Sequence, residues 1–255
     1  MPDDLVLKAV EGPVARLTLN DPGRANVLSA AMMAALAEAL AEVNANASVR
    51  VIVLSAEGRV FCAGHDLAEL RACDATQAQT LFDQCSELMM AIGASRAPVI
   101  ARVQGAAVAA GCQLVASCDL AYAADTAKFA VSGINLGLFC STPGVALGRA
   151  VGRKAATEML LTGKFVDAER AQVLGLINRA VTAAELDAVV DEAASTIAAK
   201  APDAIALGKS VFRRQSEAPL AQAYEIASRA MVENLAFESA ETGIDAFLAR
   251  PAKQS

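Results

Sequence analysis

The chain has 255 residues, 55% of them hydrophobic, enough to bury a large core in one main domain. Its 22 Lys plus Arg against 28 Asp plus Glu leave a net charge of -6, which argues against a nucleic-acid partner held on a basic face. Six cysteines without a CxxC pair fit a reducing, non-secretory compartment, most simply the cytoplasm, and a lone histidine, His65, argues against a Cys/His metal site and any triad that needs a second imidazole.

Residues 1–12 show no apolar run of signal-peptide type. At residues 14–19, Ala15, Leu17 and Leu19 alternate with Arg16 and Thr18, the period of a half-buried strand that breaks at Asn20-Asp21-Pro22-Gly23. Ser29 is a fitting N-cap for a helix whose apolar face runs through Met33, Leu36, Leu40 and Val43. Val49 to Leu54, Val99 to Val103 and Leu120 to Ala123 read as buried strands separated by helix-compatible segments, so a mixed α/β core with right-handed crossovers is expected. Arg102, Gln104, Gln113, Ser117 and Asp119 punctuate the longest apolar stretch, and no membrane span is predicted.

Beyond about residue 140 the signal is almost wholly helical. Thr142-Pro143 reads as an N-cap followed by proline at the first helical position. Asp167 opens a helix ending near Gly175, Thr182 with Glu185 suggests a capping box, and Pro202 and Pro219 each start an amphipathic segment. The last segments carry Leu220, Tyr224, Met231, Leu235, Ile244, Phe247 and Leu248, more apolar surface than short helices can hide among themselves. They either fold back over the core or bury against another subunit. The division expected is an α/β core over 1–200 and a helical oligomerisation region over 201–255.

Two small-residue loops carry the chemistry. Phe61-Cys62-Ala63-Gly64-His65-Asp66-Leu67 and Gln104-Gly105-Ala106-Ala107-Val108-Ala109-Ala110-Gly111-Cys112-Gln113 each follow an apolar run and lead into a helical pattern. Such loops can aim free backbone N–H groups into a common space, the arrangement that stabilises an oxyanion.

These loops, with Val14 to Asn20, Ser117-Cys118-Asp119-Leu120, Lys128-Phe129-Ala130, Gly133-Ile134-Asn135-Leu136-Gly137, Thr162-Gly163 and Gly243 to Leu248, stand in an order that resembles the crotonase, or enoyl-CoA hydratase/isomerase, superfamily over nearly the whole chain. The resemblance implies a spiral of ββα units, a C-terminal trimerisation region, and a homotrimer or dimer of trimers. It implies an acyl-CoA or enoyl-CoA thioester as ligand, with coenzyme A entering as part of the substrate and no tightly bound cofactor or metal. The thioester oxygen would be held by the backbone N–H groups of His65 and Ala110.

In hydratases of that family two glutamates act on one water, and their positions here are Gln113 and Gly133. An amide is not a base near neutral pH and glycine has no side chain, so two-glutamate hydration is not expected. Some relatives carry an aspartate eight residues beyond the second glutamate position, which is Ser141 here, beside Cys140. The run Leu138-Phe139-Cys140-Ser141-Thr142-Pro143-Gly144 resembles a noncanonical subgroup, that of the enoyl-CoA hydratase domain-containing protein 3. Cys140 is either a thiolate nucleophile or a pocket-lining thiol, and the His65 side chain either acts near the thioester or covers the pocket while the backbone works. Arg24, Ala63, Asp66, Lys209, Phe247 and Lys253 are the coenzyme-binding candidates, while Glu69, Asp74 and Asp83 are acids near the first loop that no spacing singles out. Three readings stay open: a hydratase or isomerase acting through the oxyanion hole, a non-catalytic acyl-CoA binding protein, and an assembly that docks a partner on its outer face.

Overall fold

A computed structural model describes residues 4–249. Strand β1 (Val6–Glu11) pairs antiparallel with β2 (Val14–Leu19), whose side chains alternate between core and half-exposed face as their period predicts. β3 (Val51–Ala56), β5 (Val99–Val103), β7 (Leu120–Ala124) and β10 (Arg179–Val181) continue a six-stranded sheet in the order β1-β2-β3-β5-β7-β10, every junction after the first being parallel. β4 (Val60–Cys62), β6 (Ala106–Val108), β8 (Lys128–Ala130) and β9 (Val166–Asp167) form a second sheet in that order. The pairs β3/β4, β5/β6 and β7/β8 each give one strand to the large sheet and one to the small, and a helical segment follows each. This is the expected crotonase-like α/β spiral.

Helix α1 (Ala30–Ala45) begins where Ser29 predicts, with the hydroxyl accepting from the Met32 N–H at 3.1 Å, and it buries Met33, Leu36, Leu40 and Val43. α2 (Leu67–Ala72), α3 (Ala75–Ala94) and α4 (Ala110–Ser117) follow the first two turns of the spiral. The main core lies between the sheets and α1, α3 and α4. A second, smaller core packs Val51, Val53 and Ile100 against Leu186, Val190 and Ala194 of α8 (Leu186–Ala198) on the other face of the large sheet. Burial on both faces explains why β3 and β5 read as continuous apolar runs.

Three expectations shift. The strand expected over 49–54 begins at Val51 instead. α5 (Ser141–Ala150) starts before Thr142: Cys140 is its N-cap residue, without a side-chain cap bond, so Pro143 is the third residue of the first turn, where its missing N–H still has no intrahelical acceptor to lose. At α8 the Glu185 carboxylate accepts from the Thr182 N–H at 3.2 Å and its hydroxyl at 2.7 Å, but the Thr182 hydroxyl caps no helix N–H, which leaves half a capping box. α6 (Arg153–Thr162) and α7 (Ala168–Leu174) lie between, and α7 is capped by Asp167 and closed by Gly175 as expected.

The chain ends in α9 (Pro202–Ser216), α10 (Leu220–Leu235) and α11 (Glu238–Leu248). Pro202 occupies the first turn of α9, and Val211 is its buried residue. Neither α10 nor α11 buries a residue among those described. An open cleft of about 1040 Å³ separates α9 from the core, lined by Phe212 and Arg213 on one side and by Val115, Leu120 and Leu176 on the other.

Candidate active site

The first loop leaves β4 through Gly64, whose φ of +96° suits glycine, and is tied down on both sides. The Leu28 N–H donates to the Gly64 carbonyl at 2.8 Å and the Ala63 N–H to the Ala25 carbonyl at 3.1 Å. Asn26, fully buried, holds the turn before Leu28 by donating to the Glu57 and Val60 carbonyls and accepting from the Asp21 N–H. Asp66 is the N-cap of α2, accepting from the Ala68 N–H at 3.0 Å, and it pairs with Arg24, which also lies 3.8 Å from Asp21. These bonds hold the Asp66 carboxyl below the usual carboxylate range against the opposing effect of desolvation.

The second loop turns on Ala109, an alanine at φ +49° and ψ -115°, whose N–H donates to the Ala130 carbonyl of β8 at 2.8 Å. That strained residue delivers the chain to Ala110, the first residue of α4, whose N–H lies in the helical turn that has no intrahelical acceptors. The loops touch. A Cβ on Gly64 would lie 3.0 Å from the Val108 oxygen and 3.3 Å from the Ala110 nitrogen, and a Cβ on Gly111 would strike the Cys62 oxygen at 2.2 Å. The His65 and Ala110 backbone segments therefore meet where the start of α4 lies against the end of β4.

Gln113 is buried on the first turns of α4, and the Cys85 thiol of α3 approaches its Oε1 at 3.9 Å. Gly133 belongs to a 3-10 turn, Ser132–Leu136, and donates its N–H to the Cys140 sulfur at 3.3 Å. A Cβ there would come within 2.8 Å of that sulfur and 2.6 Å of the Leu138 oxygen. The space beside Gly133 is therefore filled by Cys140. Ser141 is exposed, its hydroxyl 3.4 Å from the Phe139 carbonyl.

Burial pushes the thiols of Cys62 and Cys112 up to about 12 and that of Cys85 to about 11, and it also raises Cys140. The thiolate expected as one reading of Cys140 is therefore disfavoured: desolvation outweighs the Gly133 N–H, and no imidazole stands beside it. The His65 ring has Nδ1 3.2 Å from the Leu28 carbonyl oxygen and packs edge-on against Phe82, with centroids 5.4 Å apart. Burial lowers its proton affinity below the ordinary 6.5 more than Leu28 and Glu69 raise it. Its Nε2 is buried without a hydrogen-bond partner.

Several other candidates are bonded within the fold. Lys209 sits 2.6 Å from the Asp119 carboxylate and within 3.2 and 3.4 Å of the Ile92 and Ala97 carbonyls, so its three N–H donors face three acceptors within the chain. Glu69 accepts from the Ala30 N–H, Asp74 caps α3 in a capping box with Gln77, and Asp83 accepts from Gln79. Phe247 is exposed near the end of α11, and Lys253 lies outside the described residues. Ala109 and Phe82 were not singled out by sequence, because neither a positive φ at alanine nor an aromatic edge contact leaves a periodic signal. Among the described residues there is no cluster of three or more metal-ligating side chains, and no helix is long and apolar enough to cross a membrane.

A fold that alternates strands between two sheets and brings two small-residue loops together defines the class, and comparison with known proteins agrees. The family model described as enoyl-CoA hydratase/isomerase matches residues 9–254. The mitochondrial enoyl-CoA hydratase domain-containing protein 3 of Rattus norvegicus is 45% identical over 92% of this chain and 79% of its own length. A crystal structure of enoyl-CoA hydratase from Mycobacterium smegmatis superposes with a TM-score of 0.94 at 53% identity, covering 96% of both chains. One of the human enoyl-CoA hydratase domain-containing protein 3 gives 0.91 at 43% identity, covering 96% of this chain and 97% of that one. The chain belongs to the enoyl-CoA hydratase/isomerase family of the crotonase superfamily.

Proposed function

We propose that the protein binds an acyl-CoA or enoyl-CoA thioester and polarises its carbonyl between the backbone N–H groups of His65 and Ala110. The observation that carries this reading is the contact of the two loops, which sets Gly64 against the Ala110 nitrogen. Charge moving onto the thioester oxygen meets preorganised donors at a helix N-terminus, where one donor contributes about 2.7–4 kcal/mol to the barrier. Such a hole suits enolisation and double-bond migration. Two-carboxylate hydration has no support, since Gln113 carries an amide and a side chain at Gly133 would collide with Cys140.

Arg24, Ala63 and Asp66 are the proposed coenzyme contacts on this chain, with Phe247 and Lys253 reaching a neighbouring subunit of a homotrimer or dimer of trimers. Free cysteines throughout the chain support a reducing compartment. A non-catalytic acyl-CoA binding protein is the second reading, favoured by the carboxylate-free positions 113 and 133.

Replacing Ala110 by proline removes one hole donor at the first position of α4. Turnover of a 3-enoyl-CoA should fall by on the order of 10²–10³ while far-UV circular dichroism is kept. Unchanged turnover would sink the oxyanion-hole reading. Wild-type protein that binds the thioester, seen as a thermal shift, yet leaves it unaltered would establish the binding protein instead.

A further inference from the structure

On the footing of the thioester reading, we infer that the His65 imidazole is the base of this site, its Nε2 taking a proton from the carbon next to the thioester carbonyl. A carbonyl oxygen only accepts, so the 3.2 Å contact with Leu28 places the ring proton on Nδ1 and the lone pair on Nε2. That lone pair is buried and lacks a partner, a costly state for which a structural role offers no return. The Leu28 contact and the edge of Phe82 hold the ring in place. Glu69 on α2 is the charged group that acts on the ring, and burial outweighs it, keeping the imidazole neutral and able to accept a proton near pH 7.

No other group near the two loops is as well placed. Gln113 and Gly133 cannot take a proton, the four thiols there are held protonated, and the carboxylates of Asp66 and Glu69 cap backbone N–H groups. The base also belongs to the residue whose own N–H is proposed to hold the oxyanion.

In the step, the α-carbon–hydrogen bond breaks and its proton goes to Nε2. The bonding pair forms the enolate double bond, and the carbonyl π pair moves onto the oxygen. The imidazolium exchanges its proton with solvent before returning one to the same carbon, which labels that carbon in deuterated water, or passes it to the γ-carbon of a 3-enoyl group, which moves the double bond to the 2-position. No co-reactant is consumed.

His65→Asn tests this, because asparagine keeps the backbone N–H and an amide N–H for Leu28 but cannot act as a base. The readout is carbon-bound deuterium in butanoyl-CoA and 3-hexenoyl-CoA incubated in deuterated water, followed by mass spectrometry, with thermal shifts by the same thioesters. Wild type is expected to exchange, and the variant to exchange more slowly by on the order of 10²–10⁴ with its thermal shift retained. Exchange in the variant within a few-fold of wild type overturns His65 as the base while the oxyanion reading, tested by Ala110→Pro, stands. Wild type that binds both thioesters without exchange overturns both. His65→Gln takes the same place in the experiment if His65→Asn fails to fold.

Discussion

Cys140 and Gly133 share one small volume, and that sharing decides what chemistry position 133 can host. A Cβ at Gly133 would meet the Cys140 sulfur at 2.8 Å and the Leu138 oxygen at 2.6 Å, and the second of these is backbone that cannot swing aside. Gly133→Ala is therefore expected to lower stability by about 1–3 kcal/mol. Cys140→Ala in the same chain removes one of the two obstacles and should recover part of that loss, with a coupling of about 0.5 kcal/mol or more in a urea double-mutant cycle. Additive losses would show that the sulfur is not what fills the space. By the same reasoning, glutamate at both 113 and 133 does not by itself recreate a hydratase. The absence of carboxylates was legible from Gln113 and Gly133 alone. That Cys140 occupies the vacated space was not, because the contact is made by the return of the chain after the 3-10 turn and no spacing rule announces it.

At the scale of elements, the parts that were legible are those long enough to show a period or bounded by a cap. β2 alternated over six residues, α1 began at Ser29, and α7 ran from Asp167 to Gly175. β4, β6 and β8 have three residues each, too few for alternation to register, yet they carry the loops of the site. Lys209 shows the other limit: its ion pair with Asp119 joins distant parts of the chain and leaves no periodic signal. Its ammonium anchors α9 to Asp119, whose carboxylate also accepts from the Val99 N–H at 2.7 Å where β5 begins. Burial raises the Asp119 proton affinity, with Lys209 and Val99 opposing it. Lys209→Met keeps the stem but leaves that carboxylate without its cation, and should cost about 3 kcal/mol in chemical denaturation. Affinity for acyl-CoA should be unchanged. A variant of wild-type stability that has lost acyl-CoA binding would return Lys209 to the coenzyme site.

For the whole molecule, the unresolved balance lies in α10 and α11. Leu220, Tyr224, Met231 and Leu235 recur at helical spacing on one face of α10, and Leu220 and Tyr224 are 76% and 71% exposed. A single chain that leaves such a stripe in water, with Phe212 and Leu248 also exposed, presents the contiguous apolar surface that marks an interface. Closed self-association is the simplest way to cover it, because every copy carries the same stripe. Sedimentation of the wild-type protein should therefore give a trimer or a dimer of trimers. Leu220→Glu with Tyr224→Glu puts two like charges one turn apart on the stripe, which a buried interface cannot accept and a solvated helix can. The expected result is a smaller species with retained helical signal, since neither side chain belongs to the core of its own chain. A wild-type monomer, or a variant that assembles as wild type does, would mean that the α10 face is not what joins the copies.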